Sequence, residues 1–134
     1  MLTLVIPVYR NESNLPDLLI AVTGLDVQLK GKLEVVFVVD GSPDRCYELL
    51  RMQLPTQSFK SKLVLLSRNF GSFMAIRTGL QHGTGNYFAV MAADLQEPPE
   101  LVLEMNRVLT QQKFDVVVGV RESRQDPLLS RIAS

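Results

Sequence analysis

The sequence predicts an open, mostly parallel, Rossmann-like sheet in a three-layer α/β/α domain. Three observations carry that expectation. Short runs rich in Val, Leu and Phe recur at 2–8, 33–39, 63–67, 87–92 and 115–120, nearly unbroken in the way of strands buried on both faces. The stretches between them repeat their apolar residues every three or four positions, the period of a helix with one face on a core. The two kinds of segment alternate without an internal repeat, low-complexity tract or linker, as in a doubly wound sheet.

Each element has its own signals. After the first strand, Leu15, Leu18, Leu19, Val22 and Leu25 form one helical stripe, with Ser13 as an expected cap and Pro16 in the first turn. Tyr47, Leu50 and Leu54 mark a second helix, introduced by Ser42, Pro43 and Asp44. Phe73, Ile76, Arg77 and Leu80 mark a third, stopped by the turn from Gly83 to Gly85. Leu101, Met105, Val108 and Leu109 mark a fourth, opened by Pro98 and Pro99. The polar tail after Val120 ends on an amphipathic fragment, LLSRIAS. That fragment reads as the start of a helix, and suggests the N-terminal part of a longer protein.

Composition bounds the function. At 134 residues, with 46% hydrophobic and 21% charged, the chain is one globular domain large enough for a core of its own. Fourteen basic and fourteen acidic residues cancel, so no long-range field draws it to nucleic acid. Cys46 is the sole cysteine; an intrachain disulfide and a cysteine zinc cluster are excluded, and a reducing, cytoplasmic setting fits. The longest apolar run, 87–93, is far below the ~20 residues a membrane-spanning helix needs.

Open α/β sheets bind ligands beyond the carboxyl ends of their strands. The residues expected there are Pro7, Tyr9 and Glu12, then Asp40 and Ser42, Arg68 and Asn69, Asp94 and Gln96, and Gly119 and Arg121. This mixture suits a phosphorylated, hydrogen-bonding ligand with a cation. A dinucleotide site is poorly supported, because PVYRNES after the first strand has no glycine for a close approach to pyrophosphate; a glycine-rich phosphate loop is absent too. A receiver or flavodoxin-like domain is disfavoured by the same strand ends. Asp94 and Gln96 with a diphosphate and water would satisfy magnesium or manganese, whereas Glu97 and Glu100 also read as first-turn acids of a helix. Asp40 reads either as an acceptor for a base N–H or as a helix cap. Arg68 and Arg121 read either as a diphosphate clamp or as solvated charges. His82 reads as a helix-end cap, and Cys46 as core filler.

The strings VIPVYRNESNLPDLL, VVDGSPD, LSRNFGSFMAIRTGLQHGTG, AADLQEPPELV and VVVGVRESRQDPLLSRIAS together resemble family 2 glycosyltransferases of GT-A fold, in the branch of dolichyl- and polyprenyl-phosphate sugar synthases. The resemblance runs in order from about Leu4 to the last residue. It implies a single nucleotide-sugar-binding domain over 1–134, truncated before the acceptor part. By the same resemblance, Pro7, Tyr9 and Glu12 line the base and ribose of a UDP- or GDP-sugar, and Asp40 contacts the base. Asp94 and Gln96 match metal ligands, and Arg121 matches an arginine beside the diphosphate, so that Asp94 and Arg121 are the expected catalytic residues. The reaction implied is transfer with inversion to an acceptor, a polyprenyl phosphate or a saccharide. Membrane contact would come only through parts not present, at the cytoplasmic face, and self-association is compatible with the exposed chain end.

Two departures stand out. The family's DADLQ motif has Ala92 at its first acid, and the acid pair before Gly41 and Ser42 has Val39 at its first position. Loss of a carboxylate weakens a metal site, by about 1–4 kcal/mol for a screened unit charge at ~4 Å. The alternative reading is therefore an impaired or non-catalytic GT-A-like domain for binding or assembly.

Overall fold

The structure is a computed structural model and describes residues 1–120. Strands β1 (Leu2–Val8), β2 (Leu33–Val39), β3 (Lys60–Leu65) and β4 (Tyr87–Val90) alternate with helices α1 (Leu15–Gln28), α2 (Cys46–Gln53), α3 (Ser72–His82) and α4 (Glu100–Gln111). All strand pairs are parallel, in the order β3-β2-β1-β4. The two central strands are the two that were read with the same bounds from sequence. They are buried along almost their whole length, which is why their runs are apolar except at Thr3 and Glu34, whose side chains are hydrogen-bonded to each other.

Alternation along the strands sorts the core into two layers. Leu2, Leu4, Ile6 and Val8 of β1 and Leu33, Val35, Phe37 and Val39 of β2 join α1, α2 and Val102 of α4 in the larger cluster. Val36 and Val38 face the other way, onto Ala75 of α3. Val5 shares that face: a Cβ on Gly79 would lie 2.2 Å from its Cγ1, so the absence of a side chain there lets α3 lie against the sheet. The three-layer arrangement expected from sequence is present, with α3 on one face and α1, α2 and α4 on the other.

Several boundaries move. A 3-10 turn (Glu12–Asn14) precedes α1, so the residue before the helix is Asn14, not Ser13. The second helix ends at Gln53, and Leu54 opens a further 3-10 turn. β3 starts three residues before the expected run, because Lys60 and Lys62 alternate with it and pair with Glu34 of β2. β4 stops at Val90 rather than Ala92. The expected fifth strand at 115–120 is corrected: these residues pair with no strand among the described residues, and Val116, Val118 and Val120 are exposed. A hollow of about 390 Å³ separates this segment from β4. Ladder hydrogen bonds require direct strand contact, so apolar composition alone does not make this segment a strand. Among the described residues, no helix is long and apolar enough to cross a membrane.

At the amino ends of the strands, Glu34 is fully buried. Thr3 Oγ1, Thr84 N and Thr84 Oγ1 donate to it at 3.1, 2.8 and 2.7 Å, and Lys60 Nζ lies 3.2 Å away. Burial raises the carboxyl pKa, but the Thr84, Lys60 and Thr3 hydrogen bonds outweigh it and hold the group at about 2. Gly85 N donates to Thr3 Oγ1 at 2.9 Å, so this knot ties the turn after α3 to the sheet. His82 ends α3 as expected: its Nδ1 lies 2.9 Å from Thr78 O, and its own carbonyl accepts from Lys62 Nζ.

Candidate functional site

The opposite edge of the sheet carries a cleft of about 440 Å³. Pro7, Val8, Tyr9 and Asn11 line it from the end of β1, Asp40 from β2, and Ala92, Ala93 and Asp94 from beyond β4. Asn69, Gly71 and Ser72 line it from the loop into α3. The volume lies within the range of small-molecule sites, about 300–1,000 Å³.

The loops around the cleft are fastened to each other. Arg10 adopts a positive φ of 54°, and its N–H donates to Ser42 Oγ at 2.8 Å. The Ser42 hydroxyl donates to Asp44 Oδ1 at 2.6 Å, and Asp44 also accepts from Glu12 N and Cys46 N, each at 3.2 Å. Burial raises the Asp44 pKa, but these donors together hold it below the usual carboxylate range. Glu12 in turn accepts from Arg45 N at 3.4 Å. The first and second strand-end loops therefore form one unit, knitted by side chains reaching backbone amides.

A second fastening runs from β2 to the loop before α3. Asp40 is 3% exposed. Its Oδ1 accepts from Phe70 N at 2.8 Å, and its Oδ2 from Gly71 N at 3.1 Å and Asn69 Nδ2 at 3.2 Å. Asn69 Nδ2 also reaches the Asp40 carbonyl, at 3.2 Å. Gly41 follows with φ 61°, and a Cβ there would meet Arg68 C at 2.2 Å and Asn69 N at 2.3 Å. Only glycine permits this turn and this approach. The exposed Arg68 guanidinium stacks on Phe70, 4.3 Å from the ring centroid.

Asp94 is exposed to the cleft and heads a tight turn: Gln96 N donates to its Oδ1 at 3.2 Å. Leu95 between them has φ 58°, an unusual conformation for a branched side chain, while its side chain packs on the larger core. Ala92 is exposed and lines the same cleft, so the position faces the site but offers no oxygen. Val39 is fully buried in the larger core; it forms part of the packing, not of the site.

Of the residues expected at the site, the structure brings together Pro7, Tyr9, Asp40, Asn69 and Asp94, while Ser42 and Arg68 do not line the cleft. Glu12 and Gln96 flank the cleft without lining it, and Arg121 lies outside the described residues. Asn11, Gly71 and Ser72 line the cleft although the sequence had not placed them in a binding set. The string RNFGS carried the signal for Gly71 and Ser72, since Asn and Gly before a helix mark a loop with free polar groups. Among the described residues no group of three or more His, Cys, Asp and Glu is arranged to hold a metal. The cleft offers one accessible carboxylate, Asp94, and a hard cation with about six oxygen ligands would take most of them from a diphosphate and water.

Comparison with known proteins gives the family and the fold. The glycosyl transferase family 2 model matches residues 3–132. The chain is 38% identical over its whole length to an undecaprenyl-phosphate 4-deoxy-4-formamido-L-arabinose transferase of Aeromonas hydrophila, covering 41% of that protein. It is also 38% identical, over 94% of its length, to a protein of the same name from Pseudomonas aeruginosa, covering 37% of it. The chain thus spans about two fifths of the length of these relatives. Among solved structures, the mannosyltransferase PcManGT of Pyrobaculum calidifontis, in complex with GDP-Man and Mn2+, superposes with a TM-score of 0.71 at 25% identity, over 81% of this chain and 32% of that one. S. aureus TarS shares the fold, with a TM-score of 0.71 at 21% identity, over 94% of this chain and 38% of that one. Matched from its first strand through its last residues, the chain belongs to glycosyl transferase family 2, and its parallel sheet is of the GT-A, Rossmann-like kind.

Proposed function

We propose that this chain is the donor-binding part of an inverting glycosyltransferase. It would take a UDP- or GDP-sugar with magnesium or manganese and pass the sugar to a polyprenyl phosphate at the cytoplasmic face of a membrane. The observation that carries the reading is the cleft itself, where one apolar and aromatic wall faces a polar wall ending at an accessible carboxylate. Pro7 and Tyr9 offer a surface for a base, and Asn11, Asn69 and Ser72 offer hydrogen bonds to a ribose and phosphates. Asp94, with Gln96 beside it, would hold the cation. A divalent ion there neutralises the diphosphate as it leaves. The GDP-Man and Mn2+ named for the mannosyltransferase neighbour support the donor class and the metal. The names of the undecaprenyl-phosphate transferases support the acceptor.

The residues present also suit that acceptor. Asp40 is consumed by protein hydrogen bonds, and Asp94 is assigned to the cation, so neither is left as a base. A phosphate monoester, with a second pKa near 6, arrives ionised and needs none. Calorimetric titration with UDP- and GDP-sugars, with and without manganese, tests the reading. Metal-dependent binding that Asp94→Ala removes is expected; failure of every nucleotide to bind would sink it.

A second reading has one observation in its favour: Ala92 occupies a position open to the cleft and supplies no carboxylate. In that case the cleft binds or assembles without catalysis. Ala92→Asp separates the two, because only an impaired metal site gains both manganese affinity and transfer activity from the restored acid.

A further inference from the structure

We infer that the outer face of α3 docks on the surface of an anionic phospholipid bilayer. Its docking needs neither nucleotide nor metal. Ala75 and Gly79 are buried against the sheet, and an α-helix turns about 100° per residue, so Phe73, Arg77 and Leu80 lie on the side turned away. All three are exposed, Phe73 to 87%. The apolar stripe that marks this helix in the sequence therefore faces solvent instead of core, apart from half-buried Ile76.

Charge around this face is of one sign. Residues 49–93 contain five cations and no acid, so the zero net charge of the chain conceals a segregated basic region. Four of the five, Lys60, Lys62, Arg68 and Arg77, belong to β3, α3 and the loop between them. Arg68 and Arg77 form no ion pair among the described residues, and Lys60 and Lys62 share the one carboxylate of buried Glu34. Asp40 is buried and accepts from amides of the loop before α3, and Asp115 borders the hollow beyond Leu80.

A bilayer interface takes this combination. Rings and aliphatic chains enter the headgroup boundary, while guanidinium groups stay among the lipid phosphates. Phe73, Met74 and Leu80 present no hydrogen-bonding groups, so the face attracts negative charge without reading a particular protein. Its basic and aromatic character continues to the cleft. Arg68 stacks on exposed Phe70 in the loop whose Asn69 and Gly71 line the cleft, and Arg10 lies 5.2 Å from the ring of Tyr9 on the β1 side. A bilayer on α3 therefore meets the rim of the cleft, where the acceptor proposed above would bring its phosphate. With eleven residues, α3 lies on the surface and does not span it.

The chain has no tryptophan, so Phe73→Trp places a single indole on this face. Ile20→Trp places one across the sheet on α1, where Ile20 is 72% exposed. Each protein is titrated, without nucleotide or metal, with vesicles of phosphatidylglycerol and phosphatidylcholine in equal parts, and with phosphatidylcholine alone. Emission of Phe73→Trp is expected to move to shorter wavelength and to be quenched by brominated acyl chains, with anionic vesicles bound at least about tenfold more tightly than neutral ones. Emission of Ile20→Trp should not move. In co-sedimentation, Phe73→Ser should weaken binding about tenfold or more. Arg77→Gln should weaken it about fivefold, a difference that high salt removes. Both side chains are exposed, so these variants keep the fold.

Absent binding, equal binding to the two vesicle types, a shift in Ile20→Trp as large as in Phe73→Trp, or full binding by Phe73→Ser would each overturn the inference. So would a dimer at the titrated concentrations that Phe73→Ser dissociates, since a second copy would then be the occupant. No nucleotide is present, so failure here leaves the donor site standing, and failure of nucleotides to bind leaves this face standing.

Discussion

Replacing Glu34 with glutamine should separate the stability of this domain from the chemistry of its cleft. The carboxylate lies at the amino edge of the sheet, away from the site, fully buried and held by Thr3, Thr84 and Lys60. Its pKa falls from 4.5 to about 2, and each pKa of displacement corresponds to about 1.36 kcal/mol. The folded state therefore gains about 3 kcal/mol from ionised Glu34 at neutral pH. Because the folded pKa lies below the unfolded one, that gain is complete above about pH 5 and is lost as the pH falls through 4.5 towards 2. By pH 3 less than half of it remains. Glu34→Gln keeps the shape, loses the charge and leaves Lys60 and Lys62 facing a neutral amide. Urea denaturation of the two proteins should show a gap of about 3 kcal/mol at pH 7, narrowing to less than half of that at pH 3, with nucleotide binding unchanged where both remain folded. A gap that stays constant across that range, or one that widens in acid, refutes the account of this knot.

Gly79→Ala should destabilise the domain by about 1–3 kcal/mol in thermal or urea denaturation, the cost of overpacking, because its Cβ would press on Val5 Cγ1 at 2.2 Å. Burial first, and the neighbouring Asp44 next, push the Cys46 thiol up to about 11. A thiol reagent at pH 8 should therefore leave it unmodified in the native chain and react with it promptly in urea. Asp44→Ala should cost about 1–2 kcal/mol of stability, the range for lost helix-end hydrogen bonds, and weaken nucleotide binding in calorimetry by loosening the first two strand-end loops. Ala92→Asp should tighten manganese binding measured by titration, since the position opens onto the cleft beside Asp94.

Sequence patterning revealed the parts of this protein that depend on periodicity. β1 and β2 are buried almost throughout, so only Thr3 and Glu34 interrupt their apolar runs, and both were read with the bounds the structure gives. The edge strands were harder. In β3, Lys60 and Lys62 alternate with partly buried residues and look like a loop until Glu34 is placed beside them. In 115–120 the opposite error occurred: four valines suggested a strand, but pairing depends on a neighbour at ladder distance, which composition does not encode.

The site divides in the same way. Tyr9, Asp40 and Asp94 were legible because a parallel sheet delivers its strand ends to one edge, and strand ends can be counted along a sequence. Gly71 and Ser72 were not, since they lie at the start of a helix and reach the cleft only when Asp40 draws the loop across the sheet. The role of Asp40 was likewise open between base contact and cap, because an aspartate before glycine and serine has the same local sequence in either case. The sequence by itself determined the order of strands and helices, the resemblance to a family, and the missing acid at Ala92. Only the tertiary structure decided which carboxylates are spent on holding the protein together and which remains to meet a ligand, because hydrogen-bond partners 30 or 50 residues apart are chosen by packing and leave no local trace.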